Sequence, residues 1–375
     1  MRGFLFLHYP KTGDDVVEEK YMKRAIELAL KGEGYVNPNP MVGAVIVKNN
    51  KIIGEGWHKK YGELHAERDA FKNLTESAEG ADMYVTLEPC CHHGKQPPCT
   101  EAVAQHKIKR VFVGSFDPNP LVAGKGIEYL RNHGVEVIEN CMREECDSIN
   151  KIFFHYITTK TPYVIMKYAM TMDGKIACIT GKSKWITGEE ARNDVQKSRK
   201  KLMGIMAGIG TVLADNPMLT CRIEEGATPI RIICDSSLKI PPESNIVQTA
   251  KDIKTIIAFC NENPEKEKQL SLMGCQMLKV NSLEGKTDLK DLMKKLGEMK
   301  IDSILLEGGG ELNYSALKSG IVNMVQVYIA PKIFGGNAKT PVGGRGVDTP
   351  DEAYMFGEPT IKRIGNDILL EYEKR

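Results

Sequence analysis

No run of the chain comes near the roughly 20 consecutive apolar residues needed to cross a bilayer, so the sequence reads as that of a soluble protein with no membrane partner. It also lacks an excess of charge. The balance of 51 basic against 49 acidic residues leaves a net +2, which excludes the global field of a nonspecific nucleic-acid binder and leaves any charged ligand to be met locally. A secretory signal is missing too: in the opening MRGFLFLHYP the apolar run Phe4 to Leu7 is shorter than a signal-peptide core, and residues 1–18 read as a variable extension. Ten cysteines spread over residues 90–275 therefore read as reduced thiols of a cytoplasmic protein, not as a disulfide framework. There is no internal repeat and no low-complexity tract.

A chain of 375 residues is about two domains long. From Tyr21 to Lys31, Met22, Ile26, Leu28, Ala29 and Leu30 recur at helical spacing, and Gly32 and Gly34 end the segment. VGAVIVKNNKIIGEGW reads as two strands joined at Asn49-Asn50. AERDAFKNL reads as a helix and DMYVTLEP as a strand; a Cys-, His- and Pro-rich loop comes after them. Next come helices near 100–107 and 124–133 and the strands RVFVGSF and VEVIEN. This alternation predicts a three-layer α/β domain over residues 19–160. A second alternating series fills residues 161–375, with a sheet of about eight strands. Within it Thr187 and Glu190 have the spacing of a capping box.

LHAERDA, residues 64–70, and TLEPCCHHGKQPPC, residues 86–99, carry the first chemistry. A catalytic zinc takes three protein ligands and leaves its fourth position to water, whose proton it makes easy to remove near neutral pH. His65, Cys90 and Cys99 can supply that trio, and Glu67 stands where a proton shuttle is needed. The thiolates are expected at the N-terminal end of the next helix, where the helix dipole favours them. Alone, His65 would be an ordinary surface or core histidine and the cysteines ordinary buried thiols. Together, His-x-Glu and a later Pro-Cys form the signature of zinc deaminases, here with eight residues between Cys90 and Cys99 in place of the usual two. Cys91 competes as a ligand, but neighbouring residues seldom aim two thiolates at one ion.

In the second domain GIGTVL, 208–213, and EGGGEL, 307–312, are glycine-rich turns between a strand and a helix. Leu213 and Asn313 stand where the dinucleotide fingerprint has its third glycine, so neither motif is complete. Both nevertheless offer backbone N–H groups at a helix start to phosphates. Glu307 sits where strand ends open a crevice.

HAE, TLEPCCHHGKQPPC and NPNPMVGAVIV, followed in order by MKYAMTMDGKIA, SKWITG, GIGTVLADNPMLTCR and LLEGGGELN, resemble the bifunctional riboflavin-biosynthesis deaminase-reductases. The resemblance implies a cytidine-deaminase-like N-terminal domain and a C-terminal domain similar to dihydrofolate reductase. It implies Zn2+ and NADPH as cofactors and phosphorylated aminopyrimidines as substrates. A homo-oligomer is implied too, a dimer through the reductase domain. It assigns Asn39, His92 and Lys95 to the pyrimidine substrate. To NADPH it assigns Ala169, Trp185, Thr211, Asp215, Ser236 and the turn Gly309, Gly310, Glu311, Leu312, Asn313, Tyr314 and Ser315. Ser183, Arg199, Leu219, Arg222 and Glu307 fall to the reductase substrate; the forked guanidinium groups of Arg199 and Arg222 suit its ribose phosphate, and for the reduction that the resemblance implies Lys167 and Glu307 are the candidates for the proton donor. The family usually has serine where Cys91 stands. Two other classes stay open: a polynucleotide base deaminase, which needs a basic groove, and a protein with a structural zinc closed by Cys91 or His93.

Overall fold

The computed structural model describes residues 13–93, 97–119, 122–223 and 228–375. They form two compact units, divided between Thr158 and Thr159. The first contains α1 (Gly13–Leu30), β1 (Gly43–Lys48), β2 (Lys51–Trp57), α2 (Ala66–Lys72), β3 (Asp82–Leu87) and α3 (Cys99–Gln105). It continues with β4 (Arg110–Ser115), α4 (Lys125–Asn132), β5 (Glu136–Ile138), α5 (Arg143–Ile149) and α6 (Lys151–Thr159). The first helix begins at Gly13, so the segment read as an extension is helical in its last six residues.

The sheet runs β2-β1-β3-β4-β5, with β1 antiparallel to β2 and β3, and β3, β4 and β5 parallel. Asn49 and Asn50 both take φ > 0, the conformation a two-residue hairpin turn demands. Alternation along the strands separates two cores. Ala44, Ile46, Met83, Val85, Val111 and Val113 join residues of α2, α3 and α4 on one face. Val45, Val47, Tyr84 and Phe112 join α1 and Cys146 of α5 on the other. That is the three-layer arrangement the pattern predicts. Helix α2 lies directly on β2: a Cβ at Gly56 would stand 2.2 Å from the Ala70 nitrogen.

The second unit contains β6 (Tyr163–Thr171), α7 (Glu189–Lys201), β7 (Gly204–Gly208), α8 (Ile209–Asp215), β8 (Ile230–Cys234), α9 (Asn245–Gln248), β9 (Thr255–Phe259), α10 (Pro264–Leu272) and β10 (Gln276–Lys279). The small hairpin β11 (Ser282–Leu283) and β12 (Lys286–Thr287) comes next, then α11 (Leu289–Glu298), β13 (Ser303–Leu306), α12 (Gly310–Ser319), β14 (Val322–Ala330), β15 (Thr360–Ile364) and β16 (Asp367–Glu373). The main sheet has nine strands, ordered β10-β9-β8-β7-β13-β6-β14-β16-β15. It is parallel from β10 to β14, and β16 and β15 close it antiparallel. Because the sheet is covered on both faces, its central strands are apolar at successive positions, such as Ile205 and Met206.

The capping box expected at Thr187 does not form. Gly188 is the N-cap of α7, its N–H donates to Asp367 Oδ2 at 2.7 Å, and the Thr187 carbonyl accepts from Arg192. A long-range carboxylate thus does what the local motif was expected to do.

Candidate active sites

His65 is the N-cap of α2, and Glu67 lies in the first turn of that helix, which puts an imidazole and a carboxylate two residues apart at the start of one helix. The helix is held there by the bare Cα of Gly56. Cys99 opens α3, whereas Cys90 lies in the loop after β3 and not on a helix as expected; the Cys99 N–H reaches its sulfur at 3.4 Å. Tetrahedral zinc, with Zn–N of about 2.1 Å and Zn–S of about 2.3 Å, needs N···S separations of roughly 3.6 Å. His65 Nδ1 stands 3.5 Å from Cys90 Sγ and 3.4 Å from Cys99 Sγ, and the three donor atoms lie within 4.8 Å of one another. The donor set fits zinc. Among the described residues no fourth Cys, His, Asp or Glu belongs to the group. Cys91 stays outside it, and His93 is exposed beside Glu101, 3.8 Å away.

Hydrogen bonds from the Cys99 thiol and then His65 outweigh burial and bring the Cys90 thiol down to about 4, while the bond to Cys90 and burial push the Cys99 thiol up, so one of the two sulfurs is held as a thiolate. Burial pushes the carboxyl of the fully enclosed Glu67 up, and the neighbouring Cys90 charge adds to this.

Around this core lie residues that the linear motifs did not single out. His58 Nδ1 faces the Leu64 carbonyl at 3.0 Å, so Nδ1 carries the proton, and burial keeps the ring neutral. Its Nε2 then accepts from the Asn39 amide at 3.1 Å, which turns the Asn39 carbonyl oxygen away from His58. Glu88 is buried after β3 and accepts the N–H groups of Gly124, Gly126 and Ile127, fastening the Pro89-Cys90 loop to the start of α4. Arg68 ties the carbonyls of Pro97 and Pro98 just before Cys99. Only Glu88 had a visible signal, a carboxylate inside an otherwise apolar strand end. His92 is exposed in the same loop, and Lys95 lies outside the described residues.

In the second unit Glu307 directly follows β13. Its carboxylate accepts from Arg199 Nε at 2.7 Å and Nη2 at 3.1 Å, and from Lys167 Nζ of β6 at 3.5 Å. Burial opposes ionisation here, but the two cations prevail and hold the carboxyl at about 2. The remaining Arg199 nitrogen donates to the Thr220 carbonyl at 2.8 Å. Arg199 therefore spends its fork on Glu307 and does not present it to a phosphate. Leu219 is buried at φ +51, and exposed Arg222 is anchored through its N–H to Gln196.

Two residues beyond Glu307, Gly309 belongs to the wall of a cavity of about 800 Å³ that runs past Ser183, Thr211, Asp215, Ser236, Gly310, Glu311, Leu312 and Ser315. A Cβ at Gly210 would meet nothing within 4 Å and one at Gly309 only Thr211 Oγ1 at 3.8 Å, so the two turns present bare backbone. Such a cradle, with a ten-residue helix starting at Gly310, fits the phosphates of a dinucleotide. Four residues assigned to NADPH stand off the wall. Asn313 is fully buried and donates to the Pro341 carbonyl; Tyr314 donates to the Gly346 carbonyl beside a separate apolar cavity. Trp185 is exposed and lies against Arg192, and Ala169 packs between strands near Tyr328.

A model of the cytidine and deoxycytidylate deaminase zinc-binding region matches residues 16–115, and one of the RibD C-terminal domain matches residues 162–370. A riboflavin biosynthesis protein RibD from Actinobacillus pleuropneumoniae is 55% identical over 94% of both chains. The chain belongs to the RibD family. Solved structures agree over their whole length. Acinetobacter baumannii RibD covers 96% of this chain and 99% of its own at 34% identity and a TM-score of 0.87. A Thermotoga maritima diaminohydroxyphosphoribosylaminopyrimidine deaminase/5-amino-6-(5-phosphoribosylamino)uracil reductase covers 96% and 100% at 38% identity and a TM-score of 0.84. This enzyme of riboflavin biosynthesis therefore deaminates and reduces phosphorylated aminopyrimidines, with a zinc-dependent first activity and an NADPH-dependent second. Among the described residues no helix is long and apolar enough to cross a membrane.

Proposed function

We propose that residues 19–160 release the 2-amino group of 2,5-diamino-6-(5-phosphoribosylamino)pyrimidin-4-one as ammonia. Residues 161–375 then reduce the ribosyl chain of the product to ribityl, giving 5-amino-6-(5-phosphoribitylamino)uracil. The observation that carries the first step is the three-donor group with Glu67 in the adjoining turn. His65, Cys90 and Cys99 hold the zinc, which when bound supplies an activated water. Glu67 takes a proton from the nucleophile and returns it to the departing amine; the upward pull of burial suits a group that must both accept and donate near neutral pH. Asn39, oriented by His58, offers its carbonyl oxygen to an N–H edge of the pyrimidine, and His92 and Lys95 offer donors to the phosphorylated sugar.

In the second unit NADPH supplies the hydride when bound, and the glycine turns hold its phosphates. Glu307, held ionised, has no proton to give. That leaves Lys167 as donor to the heteroatom next to the reduced carbon, with Glu307 and Arg199 fixing its position. A dimer through this unit would cover Met355, Ile361 and Ile368, all exposed. Ten free thiols suit a reducing cytoplasm.

Zinc analysis and ammonia release of Glu67→Gln test the reading: metal content stays at wild-type level and ammonia release falls by about two to four orders of magnitude. Full activity with zinc retained would make the site structural.

A further inference from the structure

With the cofactor in the cavity beside Glu307, Lys167 and Glu307, on β6 and after β13, mark the end where hydride must be delivered. Along the sheet order β6-β13-β7-β8, the wall passes the glycine turns after β13 and β7 and reaches Ser236, Ser237 and Lys239 after β8. Lys286 of the small hairpin lines the same end, and the Thr287 N–H fastens that hairpin to Ser236 Oγ at 3.0 Å. A dinucleotide with its nicotinamide at the reacting end and its pyrophosphate on the two turns therefore places its adenosine beyond β8.

We propose, resting on that assignment of the cavity to the cofactor, that Lys239 and Lys286 bind the 2′-phosphate of the adenosine and so set the preference for NADPH over NADH. Asp235, directly after β8, lines the same wall and is fully buried, with Oδ2 on the Ile240 N–H at 2.7 Å and Oδ1 without a hydrogen-bond partner among the described residues, so the preference rests on the positive charge that the exposed Lys239 and Lys286 bring to a 2′-phosphate. Lys286 pairs with Glu311 at 3.3 Å, but both side chains are exposed and such a pair is easily exchanged for a phosphate. The third lysine on the wall, Lys339, stands by the loop after β6, where its carbonyl accepts the Ile176 N–H, away from β8.

Direct binding to the full-length zinc enzyme tests this, with NADPH, NADH, 2′,5′-ADP and 5′-AMP titrated against wild type, Lys239→Ala, Lys286→Ala and the double variant. Each single substitution is expected to weaken NADPH and 2′,5′-ADP about tenfold relative to their counterparts lacking the 2′-phosphate, and the pair more, with Lys239→Arg restoring the preference. An unchanged NADPH-to-NADH ratio, or equal weakening of both, overturns the proposal. Gly309→Val tests the cavity assignment separately: a side chain there enters the cavity and should weaken both dinucleotides alike. If Gly309→Val binds both as wild type does, the cavity is not the cofactor site and the underlying assignment fails.

Discussion

The sequence leaves Lys167 and Glu307 as candidates for the reductase acid, and their surroundings separate them. Two cations hold the Glu307 carboxyl at about 2, so at neutral pH it has no proton to transfer, which leaves Lys167. Lys167→Met should lower kcat of the reduction by about a hundredfold while the dissociation constant of NADPH, read by fluorescence, stays put. Glu307→Gln should behave differently. It leaves Arg199 and Lys167 without their counterion, so the substrate KM and the stability of the unit both suffer. In the deaminase site the corresponding pair is Glu67 with Cys90, and Cys90→Ala should lose zinc and ammonia release together. Supplied with the deaminated intermediate, the same variant should still oxidise NADPH; an inert but folded protein would refute the independence of the two chemistries.

At the scale of elements, the position of His65 and Glu67 depends on how closely α2 lies on β2. Gly56→Ala places a methyl group 2.2 Å from the Ala70 nitrogen and 2.4 Å from the Ala66 carbonyl oxygen. The helix must shift, at a cost of about 1–3 kcal/mol. A lower unfolding temperature together with weakened zinc retention is the expected outcome, since the displaced turn carries a ligand. The Cys90 loop depends in the same way on Glu88, whose carboxylate caps α4. These restraints are built from contacts 10 to 40 positions apart in sequence. Local motifs expose only part of them: the Asn49-Asn50 hairpin is legible because its backbone signals lie within the turn, whereas the start of α7 is not, because its cap comes from Asp367, 179 residues away.

For the molecule as a whole, the buried ion cluster makes the acid response of the reductase unit specific. Glu307 titrates below its ordinary 4.5, so the unfolded chain takes up its proton first. The stabilisation is complete above pH 4.5 and is lost as pH falls towards 2, a contribution of roughly 3 kcal/mol at neutral pH. Chemical denaturation of wild type and Glu307→Gln at pH 7, 4.5 and 3 should show the difference between them shrinking over that interval. A difference independent of pH would mean that the cluster is not what holds the strand end.

The residues alone determined the chemistry. His-x-Glu with Pro-Cys and a further Cys names a donor set and a proton shuttle, since few other uses need those side chains together. Alternating apolar patterns likewise determined two α/β units, because periods of 2 and 3.6 dictate which faces are buried. Folding decided which groups remain available. It turned Arg199 inward onto Glu307, buried Asn313 against Pro341, and enclosed Arg231, whose guanidinium is satisfied by Thr249, Thr255 and backbone carbonyls in a strand that reads as plain core. Charge state, hydrogen-bond direction and access depend on neighbours brought together from distant parts of the chain, and no local pattern of residues contains them.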